Sequence, residues 1–209
     1  MLTIVKHPLI DVKLSIMRDE RTKSKEFRES LNEIAAFMCF EVFKDLKTYE
    51  SKDTYMTPTG IELHRTKLQD KIIVAPILRA GIGFCDGIKS MIPTARIGHI
   101  GMFRDEETLK PVEYYYKMPK DIGKREVIVL DPMLATGGSG IDCISRLKKD
   151  GVKKIKFLCI IAAPEGIKNI NEVHPDVDIY CASIDDHLNE NGYIVPGLGD
   201  AGDRIFGTK

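Results

Sequence analysis

Val127-Ile128-Val129-Leu130-Asp131-Pro132-Met133-Leu134-Ala135-Thr136-Gly137-Gly138-Ser139-Gly140 decides the fold of this 209-residue chain. Four apolar residues, Val127 to Leu130, stand between charged neighbours and Asp131-Pro132, the pattern of a strand buried on both faces. The small residues Thr136 to Gly140 cannot continue it. They form a turn whose N–H groups can converge, and a helix follows: Ile141, Ile144 and Leu147 recur at helical spacing, Lys148 and Lys149 fill the last turn, and Gly151 can close it. Convergent N–H donors at the positive end of a helix dipole favour a phosphate group. A glycine turn between strand and helix can also serve close packing alone. Asp131, at the carboxyl end of the strand, shifts the balance toward a ligand, because open parallel sheets bind ligands outside those ends.

A second loop of the same design lies upstream. Ile72 to Leu78 reads as another buried strand, with Pro76 placed where no ladder donor is needed, and it runs into Arg79-Ala80-Gly81-Ile82-Gly83. A guanidinium followed by two glycines offers a charged fork and close backbone approach to an anion. Arg96 to Met102 and Pro111 to Met118 read as strands. The charged stretch between them makes Phe103 to Met118 an excursion able to fold over a site as a lid, while Tyr114, Tyr115 and Tyr116 read as sheet packing. Lys156 to Ala163 and Asp178 to Ala182 are further strands, with a helix from Pro164 to Val173 between them. This alternation across residues 71–182 predicts a mainly parallel sheet flanked by helices, an α/β fold.

Upstream, apolar residues at Phe27, Leu31, Ile34, Ala35, Met38, Val42 and Leu46 predict a long amphipathic helix with Ser24 as its N-cap. Leu9, Val12 and Ile16 could form a shorter helix face. Glu50 to Thr57 and Gly60 to Lys67 flank Pro58-Thr59-Gly60 and predict a small antiparallel hairpin. Downstream, Gly192 to Arg204 is so rich in glycine, proline and aspartate that it reads as a structured loop rather than a helix. Its Tyr193, Ile194, Val195 and Leu198 call for burial, and its glycines would let backbone groups approach a flat ligand.

Composition sets the limits. The 31 basic and 31 acidic residues cancel, so no bulk charge argues for nucleic acid or a membrane surface, and any anion site must be local. Five scattered cysteines without a Cys-x-x-Cys pair read as reduced, buried residues of a cytoplasmic protein. No run approaches the roughly 20 apolar residues of a membrane span, and no signal-like segment is seen. The chain reads as one domain, residues 1–209: N-terminal helices and hairpin to residue 70, a sheet core over 71–182, and a tail over 187–209.

Three blocks resemble the uracil phosphoribosyltransferase family. Asp131-Pro132-Met133-Leu134-Ala135-Thr136-Gly137-Gly138-Ser139 is similar to its phosphoribosyl pyrophosphate signature. Pro76-Ile77-Leu78-Arg79-Ala80-Gly81 resembles its pyrophosphate loop, and Tyr193 to Arg204 resembles its uracil-binding tail. The first block alone would name only the type I superfamily; the tail points to uracil. The resemblance implies UMP and diphosphate formation from uracil and 5-phospho-α-D-ribose 1-diphosphate (PRPP) in pyrimidine salvage. It implies that Thr136 to Ser139 hold the 5′-phosphate, that Asp131 faces the ribose hydroxyls, and that Arg79, Arg104 and Asp200 contact PRPP. Ile194, Gly199, Asp200 and Ala201 would read uracil, with Asp131, Arg79 and Asp200 closest to the chemistry. Asp200 would either orient the base or take its N1 proton.

Many relatives carry two adjacent acids where this chain has Asp131-Pro132. One carboxylate remains, so the implied Mg²⁺ would arrive on PRPP rather than in a protein cage. The resemblance also implies a homodimer or larger homo-oligomer and, in some members, GTP as an effector. Rival readings are weaker. A nucleotide kinase or NTPase would need Gly-Lys-Ser/Thr at the end of the turn. A non-catalytic RNA-binding relative would show a basic face. Another nucleobase transferase would be distinguished by its substrates.

Overall fold

The structure, a computed structural model, describes residues 1–104 and 111–208, and of residues 103, 104 and 111 the backbone alone. In chain order the elements are β1 (Leu2–Ile4), α1 (Pro8–Arg18), α2 (Ser24–Val42), β2 (Thr48–Met56), β3 (Glu62–Leu68), β4 (Ile72–Leu78), α3 (Cys85–Met91), β5 (Arg96–Ile97), β6 (His99–Arg104), β7 (Pro111–Lys117), β8 (Glu126–Leu130), β9 (Met133–Leu134), α4 (Gly138–Lys149), β10 (Lys154–Ala162), α5 (Pro164–Val173), β11 (Asp178–Ile184), β12 (His187–Leu188), β13 (Ile194–Val195) and α6 (Ala201–Phe206). A 3₁₀ turn over Ala80–Phe84 joins β4 to α3.

The main sheet runs β1-β11-β10-β8-β4-β6-β7, with β5 beside β4 and β9 beside β10. All of its pairings are parallel except β6 with β7. Strands β4 and β8 alternate their side chains between two cores. Ile72, Val74, Ile128 and Leu130 face α1, α2, α3 and α6. Ile73, Ala75, Ile77, Val127 and Val129 face α4 and α5. Burial on both faces explains why these strands are uninterrupted apolar runs. Pro76 falls beside the break between β5 and β6, where a missing N–H costs no ladder bond.

Several expectations need correcting. Lys23, not Ser24, occupies the N-cap of α2, and that helix ends before Leu46. The buried face of α1 is Ile10, Leu14 and Met17, while Leu9 and Val12 are exposed. Both sets have helical spacing; packing on α2 and the sheet edge selects the second. Strand β1 was not anticipated, being three residues long and paired only along β11. The tail is not all loop. Asp200 caps α6 by accepting the Asp203 N–H at 2.9 Å, and Gly207 at φ +67° ends the helix, so capping at both ends outweighs the local glycine content.

The hairpin forms as β2 and β3, apart from the main sheet and exposed along nearly all its length. All five cysteines are buried and free. Tyr116 fits the packing expectation: it is half-buried, donates to Asp150 Oδ2 at 2.5 Å and lies under the Arg146 guanidinium. Residues 105–110 of the expected lid lie outside the described residues. Among the described residues, no helix is long and apolar enough to cross a membrane.

Candidate active site

Neighbouring strands β4 and β8 end where the connections part company. From β4 the chain leaves for β5 and β6 on one side, and from β8 for β10 on the other. This is a topological switch point, where a parallel sheet opens a crevice at its carboxyl edge. Asp131 and Arg79 are the first residues beyond those two strands. The loops touch: a Cβ on Gly81 would lie 2.4 Å from the Leu130 carbonyl oxygen, so only glycine lets the arginine loop close on the end of β8. The peptide bond between Leu78 and Arg79 is cis, as is that between Val195 and Pro196.

Asp131 and Pro132 interrupt the ladder without changing its register, since β8 pairs β10 at Leu130 with Leu158 and β9 resumes at Met133 with Ile161. The Asp131 side chain is therefore turned out of the sheet while its N–H still bonds Leu158 O at 3.1 Å. Burial raises its carboxyl to about 7, against one long hydrogen bond from the Met133 N–H at 3.4 Å. Among the described residues, no basic side chain offsets that cost.

Beyond β9 the chain reaches the turn. Gly137 holds φ +83° and caps α4, and Gly138 and Ser139 open the helix, as the spacing predicts. Thr136 and Ser139 are exposed at its positive end. Asn169 of α5 was not anticipated; its Nδ2 donates to Thr136 O at 2.9 Å and fixes the turn from outside.

The tail closes the other side. A cavity of about 350 Å³ is bordered by Ala80, Asp131 and Met133 from the strand ends and by Asn191 to Tyr193 and Gly199 to Gly202 from the tail. Asp131, Asp200, Gly199 and Ala201 thus share one cleft. The Ile194 side chain is buried in β13, opposite Leu188, next to Tyr193 of the cavity wall. Arg79 points to the tail: its Nη2 is 3.5 Å from Asp203 Oδ1 and its guanidinium lies 5.8 Å from the Phe206 ring centre. Arg104 ends β6, and its side chain lies outside the described residues.

A glycine turn at a helix start, beside a single strand-end carboxylate at the switch point of a parallel sheet, places the chain in the phosphoribosyltransferase class. The fold is shared with a solved hypoxanthine phosphoribosyltransferase of Staphylococcus aureus, 12% identical, at a TM-score of 0.54 over 82% of this chain and 85% of that one. The family model for uracil phosphoribosyltransferase matches residues 4–208, and the chain belongs to that family. The uracil phosphoribosyltransferase of Streptococcus salivarius is 56% identical over 206 residues, 99% of this chain and 98% of the relative. A solved protein of Aquifex aeolicus is 38% identical with a TM-score of 0.90, covering 99% of this chain and 98% of its own.

Proposed function

We propose that the chain catalyses transfer of the phosphoribosyl group of PRPP to uracil N1, releasing diphosphate. The observation that carries this reading is the single cleft bordered at once by Asp131, beside the phosphate turn, and by Gly199 to Gly202 of the tail. Sugar and base would meet there. In the reaction the bond from ribose C1 to the diphosphate oxygen breaks, the bond from N1 to C1 forms, and the N1 proton is lost. A sugar cation develops as a highly charged group leaves, so the protein's task is positional and electrostatic.

The turn from Thr136 to Ser139 would grip the 5′-phosphate, with Pro132 to Ala135 setting its approach, so that binding energy remote from C1 orients the reacting carbon. Asp131, ionised, would accept from the ribose hydroxyls. Arg79 is exposed, and its pair with Asp203 is long and solvated, so exchange of Asp203 for a diphosphate oxygen costs little. Arg104 is assigned to the same group. Uracil presents acceptor, donor and acceptor along O2, N3–H and O4, which main-chain groups of Ile194 and Gly199 to Ala201 would match. Cytosine would leave them unpaired, a mismatch of about 10⁴-fold in sites of this kind. Asp200, fixed by its bond from the Asp203 N–H, would orient the base or take its N1 proton.

The donor set suits a metal carried by the substrate. The strand end offers one carboxylate, followed by proline, and among the described residues no three His, Cys, Asp or Glu side chains gather as a cage. Mg²⁺ held on the PRPP oxygens, with Asp131 as the chain's contribution, would neutralise the diphosphate as it leaves. A homo-oligomer is proposed on the exposed hairpin, which displays Tyr49, Tyr55, Ile61 and Leu63 to solvent. GTP is proposed as an effector on the family resemblance alone.

The test is UMP formation from uracil, PRPP and Mg²⁺, with and without GTP. Wild type should turn over. Asp131→Asn and Arg79→Ala should lose about 10²-fold or more in kcat/KM for PRPP, and Asp200→Asn a comparable factor for uracil. Turnover with hypoxanthine or adenine but not uracil would overturn the base assignment and leave the sugar-phosphate assignment standing.

A further inference from the structure

We propose that the carboxyl end of α1 belongs to the base-recognition apparatus, with Arg18, Asp185 and Arg204 acting as positioning residues that hold the tail loop in register with the cleft. The proposal rests on the transfer reaction above. It begins from the shape of the loop. Gly199 borders the substrate cavity on one side and, on the other, a second cavity of about 380 Å³ lined also by Arg18, Gly197, Leu198 and Arg204. At Gly199 the loop that should read the base is a thin wall with space on both sides, while Leu198 beside it is anchored in the core; the backbone between them is left for polar contacts to set.

Two arginines fix it reciprocally. Arg18, in the last turn of α1, donates from both terminal nitrogens to Asp185, at 2.7 Å to Oδ2 and 2.6 Å to Oδ1. The same Nη1 donates to Gly197 O at 2.6 Å, and the Gly197 N–H donates to Asp185 Oδ2 at 2.9 Å. Both backbone groups of Gly197 are thus held by one ion pair. From the opposite direction, Arg204 of α6 reaches back to α1, donating to Met17 O and, at 2.6 Å, to Asp19 O, while also donating to Leu198 O at 2.9 Å. Its guanidinium lies 4.5 Å from the Phe27 ring centre. Gly197 itself, at φ +63°, is folded so tightly that a Cβ would lie 2.1 Å from Ile194 O.

The Asp185 side chain is 2% exposed, and Ser183 Oγ donates to it at 3.0 Å. Burial alone would raise its carboxyl, but Arg18, the Gly197 N–H and Ser183 together hold it below the ordinary range. The clasp is therefore charged, preformed and aimed at backbone atoms one and two residues from Gly199 and two to three from Asp200. Loss of its fork would let the wall shift toward either cavity, and a shift of an ångström in a recognition group is enough to weaken the uracil complex.

The experiment measures KM for uracil and for PRPP separately in Arg18→Lys, Asp185→Asn and Arg204→Lys. Lysine keeps charge but loses the bidentate geometry. The expected result is a rise of about tenfold or more in KM for uracil, with KM for PRPP within about twofold and kcat at saturating uracil largely retained. Arg18→Lys combined with Asp185→Asn should cost no more than the worse single change, because both remove one unit. Ser183→Ala, which deletes the bond donated to Asp185 and the long one accepted from Arg18 Nη2, serves if the charged variants fail to fold and should raise KM for uracil about twofold to threefold. An unchanged KM for uracil, or a parallel rise in both constants, would overturn the clasp. Wild type failing to use uracil would instead overturn the reaction on which it rests.

Discussion

Asp131 is kept in a place that suits the reaction better than it suits the fold. In the unfolded chain its carboxyl titrates near the ordinary 3.8, and in the native cleft near 7, with burial the larger cause. Between those values the native state binds the extra proton, so the favourable contribution is complete below about pH 4 and is lost as pH rises through about 7. The side chain borders an open cavity, which tempers the cost to roughly 1–3 kcal/mol. Asp131→Asn should therefore raise the melting temperature at pH 8 and change it little at pH 4, while activity falls at every pH. In the wild type, kcat/KM for PRPP should rise with pH through about 7 as Asp131, the proposed ribose acceptor, ionises. Equal stability changes at both pH values would show that the carboxyl is not raised.

At the scale of elements, the phosphate turn is held by α5 as much as by its own glycines. Gly137 sits at φ +83°, and a Cβ on Gly166 would lie 2.3 Å from Ala135 O, so the first turn of α5 is pressed against the backbone before α4. Gly166→Ala should cost about 2–4 kcal/mol and raise KM for PRPP, read by thermal melts and steady-state kinetics. Asn169→Ala, which removes the bond to Thr136 O, should raise KM for PRPP several-fold with about 1 kcal/mol lost or less. This contrast separates distortion of the turn from loss of its tether. It also marks where sequence reading reached its limit. The turn, Asp131 and the Arg79 loop announced themselves because strand, glycine and helix signals are local and contiguous. Asn169 gave no such signal, and Arg18 meets Asp185 across 167 residues of sequence. An arginine ending a short helix and an acid following a buried strand are each ordinary; only the topology makes them a pair. The tail departs from its composition for a related reason, since α6 is created by caps at Asp200 and Gly207 against an unfavourable glycine content.

Across the whole molecule, the carboxyl edge of the sheet is given to the cleft and the amino edge to a polar lock. Lys156 of β10 is buried there, donating from Nζ to Val42 O at 2.6 Å and Asp45 Oδ1 at 2.5 Å, beyond the end of α2. Its third partner is Glu126 Oε1 of β8 at 3.1 Å, with both side chains 5% exposed. Burial alone would lower the lysine, yet the bonds to Asp45 and Glu126 leave it raised and charged. Burying two opposite charges gains little over burying apolar atoms, whereas removing one partner strands the other. Lys156→Met should therefore cost about 3–5 kcal/mol and lower the melting temperature by roughly 10 °C. Adding Glu126→Gln should restore at least half of that, because the double variant no longer buries an unpaired carboxylate. Neither change should alter KM for uracil or PRPP, since the lock and the cleft lie at opposite ends of the same strands. Costs that simply add would mean that Glu126 and Lys156 act independently, and a shifted KM would mean that the amino edge of the sheet reaches the active site.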